Sequence, residues 1–288
     1  LLDQSKNRPE GSFIEKTIRS VLSQDYPNIE YIIIDGGSTD NTIEIIKKYD
    51  KWITYWESET DRGQSHALNK GFAKATGDVL AWINSDDYYD HYSINKVMKL
   101  FVNPEIMIVN GNCMMHYAHS NKIFLDKAGE ITTSRMLRYW TPFFCPPQPS
   151  IFFRKQVWQE VMPLNEKLNY TMDLDLWLKM SLKYKFTYYN ALLSHYLIHQ
   201  NSKSGSEDGF IKFIPEWRKA ALKYVFKSSV KTQFLFWIDF LKNKIHQDQK
   251  FTKSLKRILT NFWIKFRMFV GLRTRFKKIT ALFSTAEK

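Results

Sequence analysis

The chain has 288 residues, of which 44% are hydrophobic and 16% are aromatic, a composition that can bury a sizeable core and excludes a disordered protein. Its formal net charge of +13 comes from one end, because residues 210–288 carry 19 Lys and Arg against four Asp and Glu. We recognise neither a signal peptide nor an apolar run long enough to span a bilayer. Cys113 and Cys145 are predicted to be reduced cytosolic thiols, because their spacing fits neither a metal site nor a disulfide framework.

The first hundred residues alternate short β-branched runs with patterns of helical spacing. Strands are predicted over 31–34, 53–56 and 79–83, and helices over 13–24, after Asp40 to about Tyr49, over 65–75 and from about Ser93. This alternation indicates βαβ units and a mostly parallel sheet, whose ligands bind beyond the carboxyl ends of the strands. Two acidic clusters fall at such ends, Asp35–Asp40 and Asp86–Asp87.

Beyond residue 100 the pattern is less regular. Strands are predicted over 106–109, 122–125, 150–153 and 186–189, and helices over 155–161 and 173–182. The C-terminal part mixes Trp, Phe, Leu and Ile with Lys and Arg, which predicts basic amphipathic helices over 234–241 and 258–270. We therefore predict an α/β domain over 1–208 and a basic amphipathic helical tail over 209–288.

The paired carboxylates of Asp86 and Asp87 directly follow the third predicted strand. Oxygen ligands suit Mg²⁺ or Mn²⁺, and such ions commonly bridge protein carboxylates to substrate phosphates. The pair could therefore hold a nucleoside diphosphate through a cation, or it could only favour the N-terminus of the next helix. Asp35 and Asp61 also have two interpretations, since each could contact a nucleoside or could cap its own turn.

Two further candidates lie downstream. Asp173 opens the predicted helix 173–182, where a carboxylate could be the general base for an alcohol or could only interact with the helix dipole. His199 lies in a polar loop, where an imidazole could be functional or could be a surface or packing residue. No Gly-x-Gly-x-x-Gly follows a strand and no Gly-Lys-Ser/Thr loop is present, which disfavours a dinucleotide-dependent oxidoreductase and a P-loop hydrolase.

The order of these motifs closely resembles glycosyltransferase family 2. The motifs that carry the resemblance are Phe13–Leu22, Gln24–Tyr31, Ile34–Asp40, Asp61–Ser65, Ala75–Asp78, Trp82–Asp87, Gln148–Ser150, Met172–Trp177 and His199–Ser202. Each motif is weak alone, but the ordered set over residues 11–205 is specific. The resemblance implies a GT-A fold, in which a nucleotide-binding α/β sandwich joins an acceptor-binding half. It also implies an inverting, hexosyltransferase-type enzyme that uses a nucleotide-sugar donor.

The resemblance further implies a role for each candidate carboxylate. The implied catalytic base is Asp173, and the implied nucleotide-binding residues are Asp35, Asp61 and Asp86. The implied cofactor is Mn²⁺ or Mg²⁺, with Asp87 as its ligand and His199 helping to hold the metal or the diphosphate. These roles require the carboxylates of Asp35, Asp87 and Asp173 to converge on one cleft.

The sequence departs from the family pattern at two places. Family members begin with an apolar strand whose end contacts the nucleotide base, whereas Leu1–Glu10 is polar and lacks this pattern. The resemblance therefore predicts an N-terminally truncated chain with a gap in its sheet and a damaged nucleotide pocket. Met172 stands where a Glu commonly precedes the base. The alternative to an active transferase is a truncated relative that is inactive or only binds nucleotide.

The expected partners follow from the family and from the charge of the tail. A UDP-sugar is the default donor, because UDP is the commonest donor nucleotide in the family, and the expected acceptor is a glycan or lipid-linked glycan of cell-surface polysaccharide synthesis. The basic helices predict a cytoplasmic protein held peripherally at the anionic inner face of the plasma membrane. The alternative is a solvated helical bundle that covers the catalytic domain. Nucleic acid is not an expected partner, because no recognised binding module accompanies the charge.

Overall fold

The computed structural model describes residues 11–138, 146–200, 202–203, 205 and 209–247. The helices are α1 (Gly11–Leu22), α2 (Thr42–Lys48), α3 (Gln64–Lys74), α4 (Ser93–Leu100), α5 (Thr133–Met136), α6 (Lys155–Val161), α7 (Met172–Ser181), α8 (Gly209–Val225) and α9 (Val230–Gln247). The strands are β1 (Ile32–Asp35), β2 (Tyr55–Ser58), β3 (Val79–Leu80), β4 (Tyr88–Tyr89), β5 (Ile108–Tyr117), β6 (Lys122–Asp126), β7 (Ile151–Arg154) and β8 (Phe186–Ile198). The predictions made for residues 1–10 and 258–270 lie outside the described residues.

The strands form two sheets. In the first, β1 and β2 pair in parallel, with Ile33 opposite Trp56. The second has the order β3-β7-β5-β8-β4, with β6 also paired to β5. Within it, β5 and β8 are parallel, and the other described pairs are antiparallel. The sheet is therefore mixed, and the predicted predominance of parallel pairs is not found among the described strands. The chain beyond residue 100 does not continue the βαβ pattern. Instead, β6 and β7 both pair antiparallel to β5, and β7 also pairs antiparallel to β3.

An apolar cavity of about 320 Å³ lies between β1 and β3, and residues of both strands line it. Two of the lining residues, Tyr31 and Trp82, have a buried side-chain polar atom with no hydrogen-bond partner among the described residues. At one end of the cavity the Glu30 carboxylate accepts hydrogen bonds from the main-chain N–H groups of Thr76, at 2.7 Å, and Gly77, at 3.1 Å. These bonds connect the segments that lead into β1 and β3.

Helix α8 completes the larger hydrophobic core. Trp217 and Tyr224 are both 2% exposed, and the indole N–H of Trp217 donates to a main-chain carbonyl of α5 at 2.7 Å. The Tyr224 hydroxyl donates to Asp175 Oδ1 of α7 at 2.7 Å. The compact unit that contains the sheets extends to Phe236. The boundary predicted between residues 208 and 209 therefore falls inside this unit, because the apolar face of α8 is buried against α5 and α7.

The thiol of Cys113 lies in β5, where it is free and buried. Burial raises the pKa of this thiol to about 12, which makes it a poor nucleophile. Cys145 lies outside the described residues. Among the helices of the described part of the chain, none is long and apolar enough to cross a bilayer.

Candidate active site

Helix α1 fixes the loop that carries Asp86 and Asp87. The buried hydroxyl of Thr17 lies 2.8 Å from the main-chain carbonyl oxygen of Ser85 and 2.6 Å from that of Asp87. Thr17 is 1% exposed, and its hydroxyl also lies 3.2 Å from the Phe13 carbonyl oxygen, so three main-chain acceptors share its single proton. A hydroxyl on the otherwise apolar face of α1 therefore sets the main-chain path of the two carboxylates.

The carboxylate of Asp87 is held through both of its oxygens. The main-chain N–H of Leu197 in β8 donates to Oδ1 at 3.0 Å, and the side-chain amide of Asn84 donates to Oδ2 at 3.1 Å. Burial, and then the nearby Asp86 carboxylate, raise the pKa of the Asp87 carboxyl well above its usual range. A bound cation beside Asp87 would offset both effects, because an opposite charge favours the ionised form.

The side chain of Asp86 contacts the end of β8. Its Oδ2 lies 3.0 Å from Nε2 of His199, and the ring of Phe13 stacks on the imidazole with 5.6 Å between centroids. His199 and Asp87 were the two predicted metal ligands. In the structure the imidazole contacts Asp86, whereas Asp87 accepts the Leu197 N–H.

Asp173 lies in the first turn of α7, and its carboxylate reaches the same cavity as Asp86. Both residues line a polar cavity of about 110 Å³, together with Gln64, Gln148 and Lys203. The main-chain N–H of Leu174 donates to Asp173 Oδ1 at 2.7 Å. Burial raises the pKa of the Asp173 carboxyl to about 6, although the Leu174 N–H and the charge of Lys203 act in the opposite direction. A carboxyl with this pKa can accept a proton near neutral pH.

Side chains that line this cavity are joined by a series of hydrogen bonds through the amides of Gln64 and Asn84. The ammonium group of Lys203 donates to Gln64 Oε1 at 2.9 Å, and Gln64 Nε2 donates to Asn84 Oδ1 at 2.9 Å. Asn84 Nδ2 in turn donates to Asp87 Oδ2 at 3.1 Å and lies 3.2 Å from Gln148 Oε1. We call Lys203, Gln64, Asn84 and Asp87 the amide chain. It joins α3, the loop that carries Asp86 and Asp87, and the segment after β8 by hydrogen bonds.

Asp35 and Asp61 do not line this cavity. The carboxylate of Asp35 is 1% exposed and accepts hydrogen bonds from its own turn, through the N–H groups of Gly37 and Ser38 and the hydroxyl of Ser38. The Ser58 hydroxyl of β2 donates to it as well, at 2.6 Å. Of the three carboxylates expected to converge on one cleft, the structure thus places Asp173 beside the Asp86–Asp87 loop and Asp35 within its own turn.

Asp61 uses one oxygen to cap the turn before α3. The main-chain N–H of Gly63 donates to Asp61 Oδ1 at 2.7 Å, and Gly63 has φ +108°, which a side chain rarely permits. The second oxygen of Asp61 is buried and has no hydrogen-bond partner among the described residues. Such an atom needs a donor, and a nucleoside could supply it, so the predicted nucleotide-binding role of Asp61 stays a prediction with this support.

The residues around Asp86 fit a divalent cation that is shared with a substrate. In the described part of the chain, no three His, Cys, Asp or Glu side chains form a complete metal cluster. Mg²⁺ is usually bound by one or two carboxylates together with substrate phosphates and waters. Asp86 and its contact His199, next to the buried Asp87, form such a partial ligand set, which suits a cation that arrives with a diphosphate.

Sequence reasoning overlooked Lys203 and assigned no role to Gln64 and Gln148. Gln64 and Gln148 belong to the recognised motifs, so their positions carried a signal. Lys203 gave a weaker one, as a single cation in a polar loop that also contains His199. Only the folded chain shows that Lys203 lines the same cavity as Asp173.

A parallel pair of strands and a mixed sheet with flanking helices, with carboxylates beyond the strand ends, define a protein of the GT-A fold class. The sequence model "Glycosyl transferase family 2" matches residues 5–160. The chain belongs to this family. The predicted family and GT-A fold class are thereby confirmed.

Relatives and solved structures agree with this assignment. The putative teichuronic acid biosynthesis glycosyltransferase TuaG of Bacillus subtilis is 28% identical over 212 residues, which cover 68% of this chain and 77% of TuaG. An uncharacterized glycosyltransferase of Haemophilus influenzae is 33% identical over 132 residues, which cover 45% of this chain and 51% of that protein. The chain spans about half the length of this relative and of one from Nostoc.

Among solved structures, residues 1–349 of TarS from S. aureus in complex with UDP-GlcNAc superpose with a TM-score of 0.63 at 17% identity. This superposition covers 88% of this chain and 74% of the TarS chain. The mannosyltransferase PcManGT of Pyrobaculum calidifontis, in complex with GDP-Man and Mn²⁺, gives a TM-score of 0.51 at 14% identity, with 83% and 78% coverage. At these identities the likeness establishes the fold.

Proposed function

We propose that the chain is an inverting, metal-dependent glycosyltransferase that moves a sugar from a nucleoside diphosphate to an acceptor hydroxyl. One observation carries the proposal: Asp173 and Asp86 line the same cavity although 87 positions separate them in sequence. One carboxyl can therefore face the acceptor while the other faces the donor. The two groups differ in what they contact, which suits two different tasks.

Asp173 is the proposed catalytic base. Its carboxylate takes the proton of the acceptor hydroxyl while the acceptor oxygen attacks the anomeric carbon. The bond from that carbon to the diphosphate breaks on the opposite side, so the configuration inverts. The N–H of Leu174 holds Oδ1, which directs Asp173 and leaves Oδ2 for the proton. Positioning of the two substrates supplies much of the rate enhancement in such a site.

The leaving diphosphate is proposed to bind beside Asp86, Asp87 and His199. Mn²⁺ or Mg²⁺ bound there would neutralise the negative charge that develops on the departing phosphate oxygen. Asp87 is held by Leu197 and Asn84, so its orientation beside Asp86 is fixed. His199 is held by its stacking on Phe13. The nucleoside is proposed to lie toward Asp35 and Asp61, where Asp61 offers an unpaired buried oxygen.

A UDP-sugar is the donor that we propose, and a glycan or lipid-linked glycan of surface polysaccharide synthesis is the acceptor. The support is by likeness: TarS is solved with UDP-GlcNAc, and TuaG is named for teichuronic acid biosynthesis. A poly-β-1,6-N-acetyl-D-glucosamine synthase of Staphylococcus epidermidis is also 36% identical over 109 residues. A location at the inner face of the plasma membrane completes the proposal and rests on the basic sequence after residue 209.

The test is sugar transfer by Asp173→Asn. Radiolabelled UDP-GlcNAc, UDP-glucose and UDP-galactose are offered with a lipid extract of bacterial membranes, with Mn²⁺ or with EDTA. Wild-type protein is expected to label the extract only with the metal. Asp173→Asn is expected to lower the rate about 10²- to 10⁴-fold, the usual contribution of a general base, while UDP still binds by calorimetry.

Asp50→Asn is the matched control, because it neutralises a carboxylate that only accepts a hydrogen bond from Trp56 and lies outside the cavity. Its transfer rate should equal that of wild type. The unfolding temperature of Asp173→Asn at pH 8 should be no lower than that of wild type, because the substitution removes a buried charge. Undiminished transfer by Asp173→Asn would refute the assignment of the base. Nucleotide binding by wild-type protein without any transfer would favour the alternative of a relative that only binds nucleotide.

A further inference from the structure

We propose that Lys203 is a diphosphate-binding residue of this site and that Gln64 positions it. The inference rests on the proposed function and adds a residue to it. Among the described residues that line the cavity, the charged ones are Asp86, Asp173 and Lys203. Lys203 is thus the cation of a described lining that otherwise carries two carboxylates. A diphosphate entering this cavity needs positive charge close to it.

The position of Lys203 is fixed by more than its own loop. Its ammonium donates to Gln64 Oε1 at 2.9 Å, and Gln64 is the first residue of α3. The contact joins residues 139 positions apart in sequence. The neighbouring Ser202 is anchored as well, since its hydroxyl donates to the His199 carbonyl at 2.8 Å. An ammonium group has three N–H donors in total, and the bond to Gln64 uses one of them. The same group can therefore also bind a phosphate oxygen.

The charges around the cavity favour this assignment. Asp86 contacts His199, and Asp87 accepts from Leu197 and Asn84. A metal at these carboxylates would neutralise part of a diphosphate, and the ammonium group of Lys203 would neutralise another part. The departing diphosphate would then contact two cationic groups from different elements, an arrangement that stabilises charge as it develops.

The same ammonium acts on the proposed base. Lys203 is the charged side chain that lowers the pKa of the Asp173 carboxyl, against the larger effect of burial. Asp86, the other charged group of the described lining, is engaged by His199. Removal of the Lys203 charge is therefore expected to raise the pKa of Asp173 further above 6. A merely structural lysine would not change the pH profile of the reaction in this direction.

The experiment compares Lys203→Met with Lys203→Arg and with wild type. Lys183→Met is the matched control, because Lys183 pairs with Glu160 on the surface, with 52% of its side chain exposed. Binding of UDP, of uridine and of inorganic pyrophosphate is measured by calorimetry with Mn²⁺, and the pH dependence of transfer is measured from pH 5 to 9. Pyrophosphate makes the test independent of the nucleotide base.

Lys203→Met is expected to bind UDP and pyrophosphate about ten- to a hundredfold more weakly, as for the loss of one charge-assisted hydrogen bond, and to bind uridine unchanged. The acidic limb of the pH profile of transfer by Lys203→Met should move to higher pH. Lys203→Arg should restore most of the affinity, and Lys183→Met should match wild type. Equal affinity of Lys203→Met and wild type for UDP and pyrophosphate would overturn the inference and leave the proposed function intact. Failure of wild-type protein to bind either probe would overturn both.

Discussion

At the scale of single residues, the carboxyl groups differ in the hydrogen-bond donors around them and in whether they reach a cavity. Asp35 is saturated by its own turn, whereas Asp173 keeps one oxygen toward a cavity. Taken alone, each residue could be functional or could only stabilise its own turn or helix, and the family resemblance implied a base at Asp173 and a nucleotide contact at Asp35. The sequence could not show which donors the folded chain brings to each oxygen.

The proposed base predicts how activity varies with pH. Burial raises the pKa of Asp173 to about 6, and a base acts only when it is ionised. Transfer should therefore be constant above about pH 7 and should fall about tenfold per unit below pH 6. The measurement is kcat/KM for the donor between pH 5 and 9 at fixed ionic strength. A rate that stays constant down to pH 5 would argue against Asp173 as the group that takes the proton.

At the scale of elements, helix α8 is hydrogen-bonded to the segment that immediately precedes α7. The carboxylate of Glu216 accepts hydrogen bonds from the N–H groups of Tyr170, at 2.9 Å, and Thr171, at 3.1 Å. These residues immediately precede α7 and Asp173. The charge of the region predicts a basic helical tail from residue 209, whereas the compact unit that contains the sheets extends to Phe236. A basic amphipathic pattern shows that one face is apolar, but it does not show what covers that face.

Substitution of Trp217 tests whether α8 belongs to the catalytic unit. Trp217→Ala is expected to lower the free energy of unfolding by about 3–5 kcal/mol, because it leaves a cavity in the main core. Lys219→Ala, on the exposed side of the same helix, should change it by less than about 0.5 kcal/mol. Chemical denaturation followed by circular dichroism measures both. A neutral Trp217→Ala would show that the core is stable without α8.

Strand β8 shows a second limit of periodicity. The sequence predicted a strand over 186–189, and the structure has thirteen residues, Phe186–Ile198. Polar residues such as Asn190, Ser194 and His195 interrupt the apolar run, so the strand pattern in the sequence ends before the strand does. Pairing with β5 on one side and β4 on the other extends the strand. This extension brings Leu197, and His199 just after the strand, to the loop that carries Asp86 and Asp87. The part of β8 that the sequence did not predict is therefore the part that contacts the site.

At the scale of the whole molecule, the basic residues predict attachment to an anionic surface. Residues 248–288 contain eleven Lys and Arg against two Asp and Glu, and each basic residue near such a surface contributes about 1 kcal/mol. A chain ending at residue 247 should lose flotation with vesicles that contain phosphatidylglycerol, whereas the full chain should float and should be released by salt. Ending the chain at residue 247 keeps α8, whose loss would remove part of the core.

Vesicles of phosphatidylcholine alone provide the control, since they remove the charge of the surface and keep its apolar interior. The full chain should not float with them. Equal flotation of the full chain and the chain ending at residue 247 on anionic vesicles would rule out attachment through the last 41 residues.

The amide chain from Lys203 to Asp87 has a built-in direction. An ammonium group can only donate hydrogen bonds, so Gln64 presents its oxygen to Lys203 and its amide N–H to Asn84, which in turn donates to Asp87. Both amide dipoles then point the same way, and each hydrogen bond strengthens the next. The Lys203 ammonium and the Asp87 carboxyl are thus coupled through two amides, and this polarisation is already set before any substrate arrives.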